Sequence, residues 1–410
     1  MPEKRIVLRN CGLIDPGDIN SYLKRDGFKA LEIARHKMTP QETIDQVKAS
    51  GLRGRGGAGF SCGLKWEMAG KAGSGPRFLI CNADEGEVGT FKDRYILEND
   101  PFSLIEGMAI AGYAIGSGQA YIYLRSEYHR LLDGLISAIE QAGAKGFLEH
   151  LEIQIFEGAG AYICGEESAL MDSIAGFRGE ARYKPPFPAT RGLRESPTIV
   201  NNVETLVNIP RIILNGAEWF EKIGTGQSKG TKVFSVSGDV EKPGVYELVM
   251  GSSLERLVMD LAGGGEVKMV QVGGAAGRII PGAMLDVPLS YETVLGSGGV
   301  TVFDESRDVI DMVYRTEEFL FEESCGKCAP CREGTEVMVE ILGRLNRGDG
   351  WEEDIKVLQD LSKAMMFSSL CGLGQAAPQP VLDSIKHFRG DYENRIKQSL
   401  YLKSRPAFRS

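Results

Sequence analysis

Cys325, Cys328 and Cys331 place three thiols within seven residues, and Cys371 stands alone further on in Ser-Leu-Cys-Gly-Leu-Gly. Three cysteines so spaced can hold three corners of a 4Fe–4S cubane while the backbone wraps it, and a distant fourth closes the remaining iron. Small neighbours (Gly326, Ala329 and Gly372) leave room for a cluster and let backbone N–H groups face its sulfides. No Cys-Pro follows Cys331 at the spacing of a two-cluster ferredoxin. Structural zinc is the alternative; it also takes four thiolates, but usually from two separated Cys-x-x-Cys pairs. The other four cysteines, Cys11, Cys62, Cys81 and Cys164, are scattered in the way small buried residues are.

The second feature is the loop Gly54-Arg55-Gly56-Gly57-Ala58-Gly59-Phe60. It contains G-x-G-x-x-G, but that motif signals a dinucleotide fold only between a strand and a helix, and here a helix precedes it. The glycines still let main-chain N–H groups approach an anion or a flat ring that side chains would block. Arg53, Arg55 and Lys65 add positive charge nearby. A plain surface loop is the competing reading.

Three polar knots follow: Asp84-Glu85 with Glu87, then Cys164-Gly165-Glu166-Glu167 after Gly158–Tyr162, then Asn201-Asn202-Val203-Glu204-Thr205. The first comes directly after an apolar run read as a strand, where α/β proteins place ligand sites. Carboxylates accept hydrogen bonds from ribose or ribityl hydroxyls and repel an extra 2′-phosphate, which favours NAD over NADP. Taken singly, each knot is better read as a solvated face or a helix cap, Asn202 and Thr205 in particular. Only four histidines are present, which disfavours histidine-based metal or hydrolytic chemistry.

Elements must carry these residues. Residues 40–50 read as a helix with Thr39 as N-cap and Pro40 at its first position. Phe78–Cys81, Ala120–Leu124 and Leu151–Phe156 read as strands, and 101–116 and 127–143 as helices. Strands alternating with helices predict a parallel or mixed sheet covered on both faces. The prolines of Tyr183–Pro188 force an extended segment. Composition near residue 226 suggests a linker. Residues 231–302 carry short alternating runs, including Lys232–Ser237 and Gly244–Leu248, with one helical piece at 253–262, and read as a small β-rich domain. Helical patterns over 307–323, 333–346, 353–366 and 378–400 predict a four-helix bundle.

At 410 residues the chain has room for two to four domains. A formal charge of −9 argues against a nucleic-acid partner. No apolar run is long enough to cross a bilayer and the N-terminus has no export signal, so the expected location is cytoplasmic. Eight cysteines are too few for a disulfide scaffold. The 52 glycines are close to twice the usual share, and they cluster where backbone could work against ligands.

Taken together, the motifs resemble a known family. Arg53–Phe60 with Gly63–Trp66, Asn82–Glu85, Gly160–Glu167, Asn201–Thr205 and Ser324–Gly334 occur in order over nearly the whole chain. They resemble the NADH-binding flavoprotein subunit of respiratory complex I and the diaphorase subunits of NAD-linked hydrogenases and formate dehydrogenases. The resemblance implies FMN held by Gly54, Gly56, Lys65, Asn82, Asp84, Glu166, Asn201, Asn202 and Thr205. It implies NAD(H) stacked on that flavin, with Phe60 and Phe187 flanking its adenine and Glu87, Glu167 and Lys184 on the rest of the dinucleotide. Arg55, Gly57, Glu85, Tyr162 and Gly165 complete the cofactor-binding motifs, and the four cysteines become ligands of a 4Fe–4S cluster.

The implied architecture has four parts. An N-terminal segment with the glycine loop (1–75) leads to a Rossmann-like α/β domain for FMN and NADH (76–226). A ubiquitin-like β-grasp domain (231–302) and the cluster-bearing four-helix bundle (305–410) follow. No general base is expected, since hydride transfer needs orientation more than acid–base chemistry. Implied partners are a 2Fe–2S thioredoxin-like subunit and a larger iron–sulfur catalytic subunit.

Ser369–Pro380 is most similar to the iron-only hydrogenase-linked branch, which favours a soluble hydrogenase and leaves electron bifurcation open. Yet the chain lacks the extra N-terminal thioredoxin-like domain and C-terminal ferredoxin-like cysteines common there. Ser61-Cys62 stands where complex I members usually have Pro-Thr. Complex I and formate dehydrogenase are the alternative assemblies. A zinc-stapled, non-enzymatic scaffold is the competing class.

Overall fold

The protein, seen in a computed structural model, is described over residues 4–73 and 75–404. Four short segments form strands β1 (Phe78–Ala83), β2 (Gln119–Leu124), β3 (Glu152–Glu157) and β4 (Thr198–Asn202). They pair in parallel in the order β3-β2-β1-β4. The order reverses at β1, because β2 lies on one side of it and β4 on the other. In open α/β sheets the crevice beyond the carboxyl ends at such a reversal is the ligand-binding place. β4 is an edge strand of five residues that the apolar pattern alone does not reveal.

The two-residue period of the strands divides the sheet into two faces. Leu79, Cys81, Ile122, Leu124 and Ile199 face a core shared with the N-terminal helices and with Pro101–Ile115, a helix buried at nearly every position. Phe78, Ile80, Tyr121, Tyr123 and Val200 face the helix Glu167–Ile174 and the cluster cysteines. The N-terminal part is thus one side of the sheet's core rather than a free-standing segment.

Thr39 caps the helix Pro40–Ala49 through a reciprocal capping box with Glu42. After the glycine loop a second helix, Cys62–Lys71, begins at Ser61, whose hydroxyl accepts from Leu64 N. The loop therefore lies between two helices. Residues 224–230 are no free linker: they close through a Gly224–Lys229 bridge, and Glu292 accepts from Thr225 and Ser228.

A second sheet contains β5 (Thr231–Gly238), β6 (Gly244–Val249), β7 (Val267–Val272), β8 (Arg278–Pro281) and β9 (Gly299–Asp304), ordered β6-β5-β9-β7-β8. Only the β5–β9 pair is parallel. The helical piece between β6 and β7 is a π-helix, Arg256–Leu261. Buried Glu247 on β6 accepts from the amides of Ile6, Val7 and Leu8, clipping the N-terminal chain to this sheet.

Helices Val309–Glu322, Ala329–Asn346 and Asp354–Ser368 match expectation, with Ala329–Asn346 starting early because Cys328 is its N-cap and Pro330 fits its first turn. The expected helix over 378–400 divides at Phe388 into Pro378–His387 and Arg389–Ser404. Arg278 on β8 forks onto Asp383 at 2.6 and 3.1 Å, tying this region to the second sheet. Among the described residues, no helix is long and apolar enough to cross a membrane.

Candidate active site

Two adjoining cavities, of about 520 and 690 Å³, open at the carboxyl ends of β1 and β4. Asn82 and Asn202 are register partners at those ends, and both line both cavities, as do Gly56, Ala58, Gly165, Glu166 and Gly372. The smaller cavity adds Gly54, Phe60, Lys65, Glu167, Lys184, Phe187 and Asn201. The larger adds Gly57, Asp84, Glu85, Glu87 and Tyr162, and its far wall comes from the second sheet through Gly273, Gly296 and Tyr291.

The site's cations and carboxylates hold each other in place. Lys65 donates to Glu167 at 2.8 Å and to the Val200 carbonyl at 3.1 Å. Lys184 bridges Glu166 and Glu167 at 2.8 and 2.9 Å. Burial alone would raise Glu167, but Lys65 and Lys184 outweigh it and hold the carboxyl at about 2. Phe60 and Phe187, each about half exposed (52% and 49%), stand at the mouth of this cavity.

Asp84 is different. Both carboxylate oxygens are buried without a hydrogen-bond partner. Burial pushes it up to about 7, with Arg125 opposing and Glu127 and Glu323 adding. Orphaned acceptors in a cavity wall suit a ligand's hydroxyl groups. Glu87 accepts from Tyr162 Oη at 2.8 Å and from Ala275 N at 2.6 Å, crossing from the first sheet's loops to the second sheet. A side chain at Gly274 would strike Glu87, so that crossing requires glycine there.

Asn202 both caps a helix and lines the two cavities. Its side chain accepts from Glu204 N, capping the helix Val203–Asn215, and its amide donates to Asp93. Lys92 supports it from 3.4 Å. Lys92 and Asp93 carry no local signal in the sequence, yet both are buried and line the larger cavity.

Three expected ligand contacts are occupied elsewhere. Arg55 is wholly buried, with its guanidinium donating to the carbonyls of Arg53 and Lys229 and to Tyr291. It braces the loop from inside and does not line either cavity. Thr205 is also fully buried, its hydroxyl accepting from Arg55 N at 2.8 Å. Glu85 reaches the cavity wall, but its carboxylate is taken by the amides of Asp93 and Arg94 and by Tyr128. Cys62, beside the loop, is buried and lines the smaller cavity.

Cys325, Cys328, Cys331 and Cys371 surround one gap, and all four are unbridged. Among the described residues no three Cys, His, Asp or Glu side chains converge closely enough for a single metal ion. Four thiols around one shared gap suit a 4Fe–4S cluster, which takes one thiolate at each iron. Burial, with the neighbouring thiols adding, pushes Cys331 up to about 11, and burial also raises Cys371. Metal charge is what would draw off their protons. The amides of Leu373 and Gly374 face the Cys371 sulfur. A Cβ at Gly374 would sit 2.8 Å from that of Cys331, so only glycine lets the two strings of ligands close up.

Ile163 and Leu373 line both the larger cavity and the gap between the cysteines. Gly372, next to Cys371, lines both cavities. The two sites share a wall one side chain thick.

Comparison with known proteins agrees with this geometry. Residues 47–211 match the Nuo51 FMN-binding domain, and residues 311–395 match the NADH-ubiquinone oxidoreductase-F iron-sulfur binding region. An NADH-quinone oxidoreductase subunit of Rhizobium meliloti is 43% identical, covering 96% of this chain and 98% of that protein. The chain belongs to this family. The family also takes in hydrogenase subunits. NADP-reducing hydrogenase subunit HndC of Solidesulfovibrio fructosivorans is 44% identical over 96% of this chain and 83% of its own length. The crystal structure of an NAD+-reducing NiFe-hydrogenase in the H2-reduced state superposes with a TM-score of 0.88 at 39% identity, covering 96% of this chain and 67% of that one. As a member of the family, the protein is an NADH dehydrogenase module whose cofactors are FMN and a 4Fe–4S cluster.

Proposed function

We propose that this chain passes electrons between NADH and a one-electron partner, holding FMN in the paired cavities and a 4Fe–4S cluster on Cys325, Cys328, Cys331 and Cys371. The shared wall of Ile163 and Leu373 carries the reading, because it leaves the flavin cavity and the cluster gap in contact. FMN, when bound, exchanges a hydride with nicotinamide and single electrons with the cluster.

The chain's own residues bind and orient. Gly54, Gly56 and Gly57 offer backbone to the flavin, Asn82 and Asn202 present amides, and Asp84 accepts from ribityl hydroxyls. Lys65 and Lys184 keep Glu167 ionised and Lys184 holds Glu166 beside it, in place for the dinucleotide, and Phe60 and Phe187 flank its adenine. Glu87 and Tyr162 fix the wall opposite. Arg55 and Thr205 act beneath the loop.

The ionised Glu167 supports NADH over NADPH, since a 2′-phosphate beside it would be repelled. The second sheet's order, second strand, first, fifth, third, fourth, supports a β-grasp domain over 231–302, with the flavin domain over 76–226 and the cluster-bearing bundle from 305 onward. The hydrogenase relatives favour a hydrogenase-type catalytic partner, with a 2Fe–2S thioredoxin-like subunit between. Visible spectroscopy of the purified chain tests the core claim: flavin bands over a broad iron–sulfur shoulder, bleached by NADH and weakly by NADPH. A colourless, zinc-containing chain would overturn it. Co-purifying subunits of the native complex decide the assembly, and quinone-reducing membrane partners would replace the hydrogenase assignment.

A further inference from the structure

Far from the paired cavities, a cleft of about 430 Å³ is lined by Lys4, Arg5, Arg9, Lys24, Arg25 and Arg211, with Asp26 the only carboxylate among its described lining residues and Trp219 at its side. None of its lining residues reaches either cavity of the flavin site. Six cations meet here on a chain whose formal charge is −9.

Arg9 and Arg25 are held by neutral groups. Both donate through Nε to the Asn10 carboxamide oxygen, at 3.1 and 3.0 Å, and each donates through Nη2 to the other's backbone carbonyl. Asn10 is fully buried and is fixed in turn by buried Asp100, which accepts from its Nδ2 at 2.8 Å. The pair is therefore preorganised, with the Nη1 groups uncommitted among the described residues. Arg211 is half-buried, and no described side chain pairs with its guanidinium. Burial first, then Arg9, hold Arg211 below the usual arginine range, and Asp26 only partly offsets them. Asp26 is itself bound to Lys29 at 2.5 Å. Lys4 lies 5.8 Å over the Trp219 ring.

Rigid guanidinium forks with no carboxylate partner among the described residues match oxyanions with several acceptor oxygens. The volume exceeds what one phosphate needs and lies in the range of small-molecule sites. An aromatic face beside it suits a base. We propose that this cleft is a second nucleotide site, in which Arg9, Arg25 and Arg211 take the phosphates of a nucleoside polyphosphate and Trp219 takes its base.

Isothermal titration of the cofactor-loaded chain, with NAD+ saturating the dinucleotide site, tests this with ADP, inorganic pyrophosphate and adenosine. ADP and pyrophosphate bind one per chain, more weakly at high salt, and adenosine does not. Arg211→Gln, which breaks no hydrogen bond among the described residues, weakens both at least tenfold and leaves NADH–ferricyanide turnover unchanged. Trp219→Leu weakens ADP but not pyrophosphate. The proposal is overturned if neither probe binds, if Arg211→Gln leaves both affinities intact, or if a glutamate-rich peptide binds where ADP and pyrophosphate do not. Unchanged ADP affinity in Trp219→Leu overturns the base assignment.

Discussion

Glu204→Gln is the most informative perturbation of the buried framework under the site. Glu204 is wholly buried and accepts from Lys232 Nζ at 2.5 Å, from Lys92 Nζ at 3.0 Å and from Val233 N at 2.8 Å. Asp93, 2.7 Å from Lys92, is the nearest other carboxylate. The amide keeps the shape but leaves two buried ammonium groups sharing one carboxylate. Breaking a buried pair from one side costs about 3–5 kcal/mol. With a urea dependence of about 3 kcal/mol/M, the first unfolding midpoint should fall by roughly 1 to 1.7 M.

The pH dependence adds a second constraint. Burial, against the pull of Glu204, holds Lys232 down to about 7. Between that value and the ordinary lysine range the unfolded chain binds the extra proton, so Lys232 opposes folding less as pH rises. The loss in Glu204→Gln should thus be smaller at pH 9 than at pH 6 by at least about 1 kcal/mol. Adding Lys232→Met removes one stranded charge and should restore at least half. Urea titration by circular dichroism at both pH values is the assay. A midpoint shift under about 0.3 M, equal losses at both pH values, or no rescue would refute the reasoning.

Cys371→Ser should remove the iron–sulfur absorbance and chain-bound iron while the flavin still bleaches with NADH; retention of a full cluster would exclude Cys371 as a ligand. Lys184→Met frees Glu166 and leaves Glu167 on Lys65 alone, and should raise the KM for NADH roughly tenfold or more with kcat little changed, since charge-assisted bonds are lost. In the cofactor-free chain, buried Asp84 keeps its proton up to about 7 while the unfolded chain ionises near 3.8, so stability falls with pH across that window. Asp84→Asn should therefore gain on the parent between pH 5 and 7.5 and bind flavin more weakly. Parallel stability–pH curves would contradict the buried-acid account.

Local signals located what local chemistry controls. Thr39-Pro40 marked a helix start because the cap, completed by Glu42, is made within four residues. The cysteine spacing was legible because ligands on one turn must sit at fixed intervals. Side-chain direction in the glycine loop was not legible. Arg55 looked like a ligand contact by charge, yet it is turned inward by Thr205 and Lys229, 150 and 174 residues away. Helix Lys29–Lys37 begins at Phe28, a left-handed residue with no side-chain cap, and so carries no start signal. β4 was hidden because an edge strand of five residues with two asparagines lacks a clear apolar period.

The wall that Glu87 spans has a consequence for how the protein matures. The larger cavity exists only when the parallel sheet's loops, the second sheet and the segment after Cys371 are docked together. A ligand that binds this assembled state and no other stabilises it by about 2.7 kcal/mol at a hundred times its dissociation constant. The cofactor then acts as a rivet through three plates. Chains made in flavin-starved cells should be looser at these seams and easier for proteases to clear, so that cofactor supply sets how many copies survive to join the larger complex.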